Sequence, residues 1–151
     1  MENEQYPQIC KKGHLDKITD IFTNPRRPFC AQCGEPVLSQ CPNCRHYITT
    51  LISDDNKVPN YCFSCGNAFP WTQNLIDNAI ELIALDTNLN ENDKTIIKDA
   101  IPHLVVESFE TPLAQGKTRQ VISKMSPWVI DLFKQLSIKY MSDKIYNGMF
   151  N

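Results

Sequence analysis

Eight side chains in the first 65 residues have the types and spacing that hold metal ions: seven cysteines and one histidine. Six of the cysteines come as C-x-x-C pairs, Cys30/Cys33, Cys41/Cys44 and Cys62/Cys65, while the seventh, Cys10, lies in "ICKKGH" with His14 four residues on. Thiolate sulfur and imidazole nitrogen are donors zinc prefers, and structural zinc takes four of them in a tetrahedron. Two such sites need eight ligands, and the seven thiolates leave one place that His14 fills. The chain therefore states one pattern twice: C-x3-H, fifteen residues and C-x2-C, then, seven residues later, C-x2-C, seventeen residues and C-x2-C. Each copy reads as a zinc ribbon, two ligand turns joined by a segment of hairpin length. Site one is Cys10, His14, Cys30 and Cys33; site two is Cys41, Cys44, Cys62 and Cys65; the expectation is two zinc ions per chain.

Other arrangements of the same donors compete with this one. The four turns could cross-brace, the first with the third and the second with the fourth, but hairpin-length spacers and a short seven-residue joint favour pairing in chain order. His46, two residues after Cys44, is the rival eighth ligand; it comes after a turn that is already complete, so it reads as a surface or strand residue. His103 has no ligand-type residue near it in sequence and reads as structural or exposed. A thioredoxin-type C-x-x-C opens a helix within a βαβ unit, whereas these pairs sit among glycine and proline turns. Catalytic zinc keeps an open position beside a general base, and neither H-E-x-x-H nor the H-x-E with P-C-x-x-C of zinc deaminases occurs. Both sites read as closed and structural.

The elements that must position these donors differ sharply from the remainder of the chain. Seven of the ten prolines fall in the first seventy residues, a composition of turns and short strands. Gly34 and Gly66 each come directly after the last cysteine of a pair, where the backbone often needs a positive φ to aim its N–H groups at sulfur. The composition breaks at "NAFPWT", giving a double zinc-ribbon domain over 1–70 and an α-helical domain over 71–151. In the second domain Thr72 reads as the N-cap of a first helix through Ile83, and Asn90 with Asp93 as a capping box opening a second. Pro102 ends or kinks that helix, and Thr111-Pro112 and Ser126-Pro127 open a third and a fourth. The fold class predicted is α+β: tandem zinc ribbons of short β-hairpins, then a small four-helix domain.

Composition narrows the function. With 151 residues, 42% hydrophobic and 21% charged, the chain has the balance of a soluble globular protein, and its apolar runs are too short to span a membrane. Met1 to Pro7 offers no apolar stretch for a secretory leader, which sets the expectation of a reducing cytoplasm and of thiols rather than disulfides. Net charge is −2, with seven basic and seven acidic residues in 1–70 and eight against ten in 71–151. Seven thiolates less two Zn2+ would take the first half from 0 to −3, since −7 + 4 = −3.

The run C-x-x-G-H, "FCAQCG", "CPNC", "YCFSCG" and "FPWT" resembles an uncharacterised bacterial zinc-ribbon family, a domain of unknown function in which a double ribbon precedes a helical region. The likeness covers residues 10–72 and the T-P-L-A stretch at 111–114, and implies His14 as a ligand but no activity. From the residues, the expectation is a non-catalytic module that binds another protein. The alternative is a nucleic-acid-binding ribbon using Lys11, Lys12, Arg26, Arg27 and Arg45, with Arg26 and Arg27 at a hairpin tip in "NPRRP". No catalytic constellation marks an enzyme. Trp71 reads as a wedge between the first helix and the zinc half. The apolar segment "VIDLFKQLSIKYMSDKIYNGMF" leaves room for a homo-oligomer through the C-terminal helices.

Overall fold

The computed structural model describes residues 7–16, 28–48 and 58–151, and the chain divides into two compact units, Met1–Asn74 and Leu75–Asn151. In the first unit β1 (Gln8–Cys10) is the central strand of a three-stranded antiparallel sheet. It pairs with β2 (Leu15–Asp16) in the register Ile9↔Leu15 and with β3 (Val37–Leu38) in the registers Ile9↔Leu38 and Cys10↔Val37. The first ligand turn is thus itself the bend of a hairpin, because Cys10 ends β1 and His14 immediately precedes β2. Around the later cysteines the described residues form single antiparallel bridges, Gln40↔Tyr47 and Tyr61↔Ala68. The segments expected to form the longer hairpins, with Arg26 and Arg27 at one tip, lie outside the described residues.

Among the described residues the apolar cluster of this unit holds Ile9, Ile48, Phe69 and Trp71 with the ligand-type cysteines Cys41 and Cys62, and Leu15, Leu38 and Val58 pack against it partly buried. Among the described residues these few large side chains supply limited hydrophobic free energy, and two members of the cluster are themselves candidate metal donors.

Helix α1 (Pro70–Ala84) begins in this unit. Pro70 opens it, its fixed φ suiting the first turn, and the Phe69 carbonyl accepts the Thr72 and Gln73 N–H groups, each at 3.0 Å. Thr72 is therefore inside the helix rather than at its N-cap. It is buried, and its hydroxyl donates to Asn60 Oδ1 at 3.0 Å.

The second unit holds more helices than expected. After α1 come α2 (Glu91–Ala100), α3 (Pro102–Val105), α4 (Thr111–Ile122), α5 (Pro127–Tyr140) and α6 (Asp143–Phe150), six in all among the described residues where the sequence pattern predicts four. Two breaks account for the difference. Pro102 ends α2 and opens a single further turn, α3, instead of a loop. The long C-terminal apolar segment splits because Met141 is extended at φ −106, ψ 160, and Ser142 starts a new helix with its side chain accepting from the Ile145 N–H.

The expected starts of α2 and α5 are present, but the Asp93 and Ser126 side chains bond elsewhere. Asn90 Oδ1 caps α2 by accepting from the Asp93 N–H at 2.8 Å, while the Asp93 carboxylate turns away to Lys124 at 3.0 Å instead of closing the capping box. Ser126 is the N-cap residue of α5, yet its hydroxyl donates to Asp86 Oδ1 at 2.9 Å and its N–H to Asp86 Oδ2 at 2.9 Å. Asp86 lies fully buried beyond the end of α1, and also accepts the Asn88 N–H at 2.7 Å. The core repeats at helical spacing, Ile76, Ala79 and Ile83 on α1, Asp93, Ile97 and Ala100 on α2, and Val129, Phe133 and Ser137 on α5. No helix of the described residues is long and apolar enough to cross a membrane.

Candidate metal centres

The three C-x-x-C turns share one backbone plan. In each, the first cysteine's carbonyl accepts the N–H four residues on, Gly34, Arg45 and Gly66 at 2.8, 2.9 and 2.8 Å. Its own N–H donates to the carbonyl five residues on, Glu35, His46 and Asn67 at 2.8, 2.8 and 2.9 Å. Closing so tight a loop puts the fourth residue after the first cysteine in the left-handed region, φ 74 for Gly34 and 75 for Gly66, as the sequence suggests. The C-x3-H turn is a tighter variant in which Cys10 N–H donates to the His14 carbonyl at 3.0 Å and Gly13 N–H to the Cys10 carbonyl at 2.8 Å.

These turns gather eight donors into two clusters in chain order, Cys10, His14, Cys30, Cys33 and Cys41, Cys44, Cys62, Cys65, with the four ligand atoms of each within 4.8 Å of one another. The edges are informative. Cys10 and Cys33 sulfurs are 3.7 Å apart, Cys41 and Cys65 3.8 Å, and Cys44 and Cys62 3.7 Å, all far beyond a disulfide bond of about 2.05 Å. A tetrahedron with metal–sulfur bonds of about 2.3 Å has S···S edges of about 3.8 Å, and one imidazole nitrogen at about 2.0 Å gives N···S edges of about 3.5 Å. His14 presents Nδ1, at 3.3 Å from Cys33 Sγ and 3.7 Å from Cys30 Sγ. The donor set and its edges fit a zinc-sized four-coordinate ion at each centre.

Backbone and side-chain donors tune the sulfurs. The Cys30 thiol is pulled down to about 6, first by the Gln32 N–H aimed at its sulfur at 3.4 Å and further by the Cys33 N–H and the His14 imidazole. Cys65 is likewise pulled down to about 6 by the Asn67 N–H and the Asn43 side chain. Burial pushes the Cys10 thiol up, and the His14 N–H opposes this by pointing at the sulfur from 3.3 Å. At Cys44 the His46 N–H pulls down, but burial and three neighbouring thiols together push the group up to about 11. Each centre thus pairs one sulfur whose surroundings favour the thiolate with one whose surroundings favour the thiol.

Arg45 is the residue whose setting the sequence reading missed. It occupies the place of Gly34 and Gly66 in its own turn and has φ 62, the one positive φ on a non-glycine among the described residues. Aligning "CPNCRH" under "CAQCGE" and "CFSCGN" carries the signal. An L side chain in that region costs about 1–2 kcal/mol, and glycine gives back roughly 0.5–1 in chain entropy. Arg45→Gly is therefore expected to stabilise centre two by about 0.5–1 kcal/mol, read as slower loss of one metal to a chelator. Faster loss would show that the arginine side chain outweighs its backbone strain.

The remaining candidates sit away from the donors. His46 lies outside both clusters, its ring edge-on to Phe63 at a centroid distance of 4.8 Å. His103 faces Glu110, Nδ1 to Oε2 at 3.0 Å. Lys12 lies 3.8 Å from Glu35 in an exposed ion pair, and Lys11 is exposed. Trp71 is joined to both ligand regions of its unit. Its indole N–H donates to the Pro59 carbonyl at 2.8 Å, its ring stacks on Phe69 at 4.8 Å, and its Cβ lies 3.0 Å from where a Cβ on Gly13 would be.

Two four-ligand Cys/His clusters in an α+β chain, ahead of a six-helix unit, define a protein with two candidate metal centres. The chain belongs to the family described as uncharacterized proteins conserved in bacteria, DUF2321, whose sequence profile covers residues 3–149. No curated protein and no solved structure matches it.

Proposed function

We propose that this chain is a non-catalytic zinc protein whose two structural zinc centres, arranged as tandem ribbons, hold a small surface that binds another protein in the cytoplasm. The observation that carries this reading is closure. Each cluster already supplies four protein ligand atoms at tetrahedral edge lengths, which leaves no coordination position for water or substrate. What remains for the ligand turns to offer is surface, and four exposed aromatic side chains stand on or beside them. Phe29 is 60% exposed, Phe63 69%, Tyr47 42% and Tyr61 40%. Exposed aromatic side chains around a rigid frame suit a protein interface, where aromatics are enriched and Lys, Glu and Asp depleted.

Aromatics beside a cation also suit single-stranded nucleic acid, and Arg45 supports that second reading. Charge opposes it. Zinc thiolates make the first half acidic, and non-specific binders need several phosphate contacts to reach roughly 10⁻⁴ to 10⁻⁶ M. Fluorescence anisotropy with single- and double-stranded oligonucleotides at about 150 mM salt decides between them. The protein-binding reading expects no binding tighter than micromolar, and little change when Arg26 and Arg27 become glutamate. Sub-micromolar binding that falls steeply with salt and disappears in that variant would replace it with the nucleic-acid reading. A matching pull-down from nuclease-treated lysate should recover a partner with the zinc-loaded chain and lose it with Phe63→Ala.

A further inference from the structure

Helix α5 carries an outward face that repeats itself when read backwards. Val129, Phe133 and Ser137 are buried, and on the opposite side Trp128, Asp131, Leu132, Gln135, Ile138 and Lys139 are all exposed. Three of these six are large and apolar, Trp128 at 47%, Leu132 at 42% and Ile138 at 63% exposed. A solvated helix face is normally polar, so three such residues on one stripe mark a surface suited to cover.

The order of the residues says what covers it. Gln135 lies at the centre. Leu132 and Ile138 stand three residues to either side, and Asp131 and Lys139 four to either side. In an isologous contact each residue meets its mirror position on the second copy. When two α5 helices pack antiparallel about a two-fold axis at Gln135, Leu132 meets the second copy's Ile138 and Asp131 meets the second copy's Lys139. Both contacts occur twice. The near-lying alternative cation for Asp131 on its own helix, Lys134, is held over the Phe150 ring at 5.5 Å, while Lys139 sits at the rim over Tyr140 at 5.2 Å.

We infer that the exposed face of α5 is the seam of an antiparallel homodimer, joined by the pairs Leu132 with Ile138 and Asp131 with Lys139. The seam stands on the helical unit and is independent of the function proposed for the zinc centres. One helix of 14 residues is about 21 Å long, so the buried area falls short of the ~1,200–2,000 Å² of a standard interface. Association is then expected to be weak and to reverse on dilution.

The test is sedimentation equilibrium of the zinc-loaded full chain between about 1 μM and 1 mM, a span that brackets such affinities. The expected result is a monomer–dimer equilibrium. Asp131→Lys places two lysines across the seam at each end and Lys139→Asp places two aspartates, so each variant alone should be monomeric with unchanged far-UV circular dichroism. Mixed in equal amounts, the two variants should form a heterodimer. Each end of the mixed seam then sets a lysine of the Asp131→Lys chain against an aspartate of the Lys139→Asp chain. A wild-type chain that stays monomeric throughout overturns the inference. So does a dimer that survives either charge reversal, or a pair of monomeric variants that do not rejoin on mixing.

Discussion

Chelation of the metal is expected to unfold the first unit and leave the helical unit folded. Metal binding contributes roughly 10–16 kcal/mol to small zinc modules, against a cluster of four buried large apolar side chains among the described residues of this unit. Ile9, Ile48, Phe69 and Trp71 share their cluster with Cys41 and Cys62, so the same residues serve the core and the ion. The second unit has its own core of seventeen buried residues from Ile76 to Met149, with none of the eight donors among them. The purified protein should carry two zinc ions with all seven thiols slow to alkylate. Excess EDTA should expose the thiols while most of the helical circular dichroism persists. Total loss of the helical signal would show one cooperative unit instead of two. His14→Ala should release one of the two ions, whereas His46→Ala should release neither, because the His46 ring packs on Phe63 outside both clusters. The reverse result would transfer the eighth ligand to His46.

The second large effect is at Asp86. Its buried carboxylate joins the residues after α1 to the start of α5 through the Ser126 N–H and hydroxyl and the Asn88 N–H. Asp86→Ala leaves these donors facing a void and should cost on the order of 3 kcal/mol. For a helical unit of this size that lowers the melting temperature by roughly 12–24 °C. Thermal melts followed at a helical wavelength in EDTA, with the zinc unit already unfolded, isolate the effect. Burial alone would raise the Asp86 pKa, but hydrogen bonds from Ser126, Asn88 and Leu89 outweigh it and hold the carboxyl below its ordinary 3.8. A depressed folded pKa means that the stabilisation is fully present above about pH 4 and is lost as pH falls through the folded value. Wild type should therefore lose helical stability in acid more steeply than Asp86→Ala. Parallel acid titrations would dismiss the carboxylate as the anchor.

What the sequence reveals and what it hides depend on the range of the interactions. The grouping of donors is legible because each cluster is closed by turns of four or five residues and one spacer. The starts of α2 and α5 are legible for the same reason, Asn90 with Asp93 and Ser126-Pro127 being signals a few residues long. Asp86 and Ser126 are forty residues apart, and nothing local to either points to the other. Met141 hides the break before α6 because an apolar residue between two apolar stretches reads as continuous helix, and only the weaker Ser142-Asp143 pair marks the new start. Trp71 reads as a wedge from sequence, but its N–H is claimed by Pro59 and its flank by Gly13, contacts spanning 12 and 58 residues.

Because the two clusters are built in chain order, they are also ordered in time. Site one is complete once Cys33 has left the ribosome, and site two waits for Cys65, thirty-two residues or roughly 2–6 s later at ~5–20 residues per second. An interleaved arrangement would oblige early thiolates to stand open until the last turn arrived, exposed to oxidation or to capture of the wrong ion. Here the first ion can be sealed before the second set of ligands has emerged. Trp71 is synthesised after all eight donors, and it is the residue that reaches back to Gly13 in the first turn and to Pro59 beside the last. Its arrival outside the ribosome follows that of all eight donors.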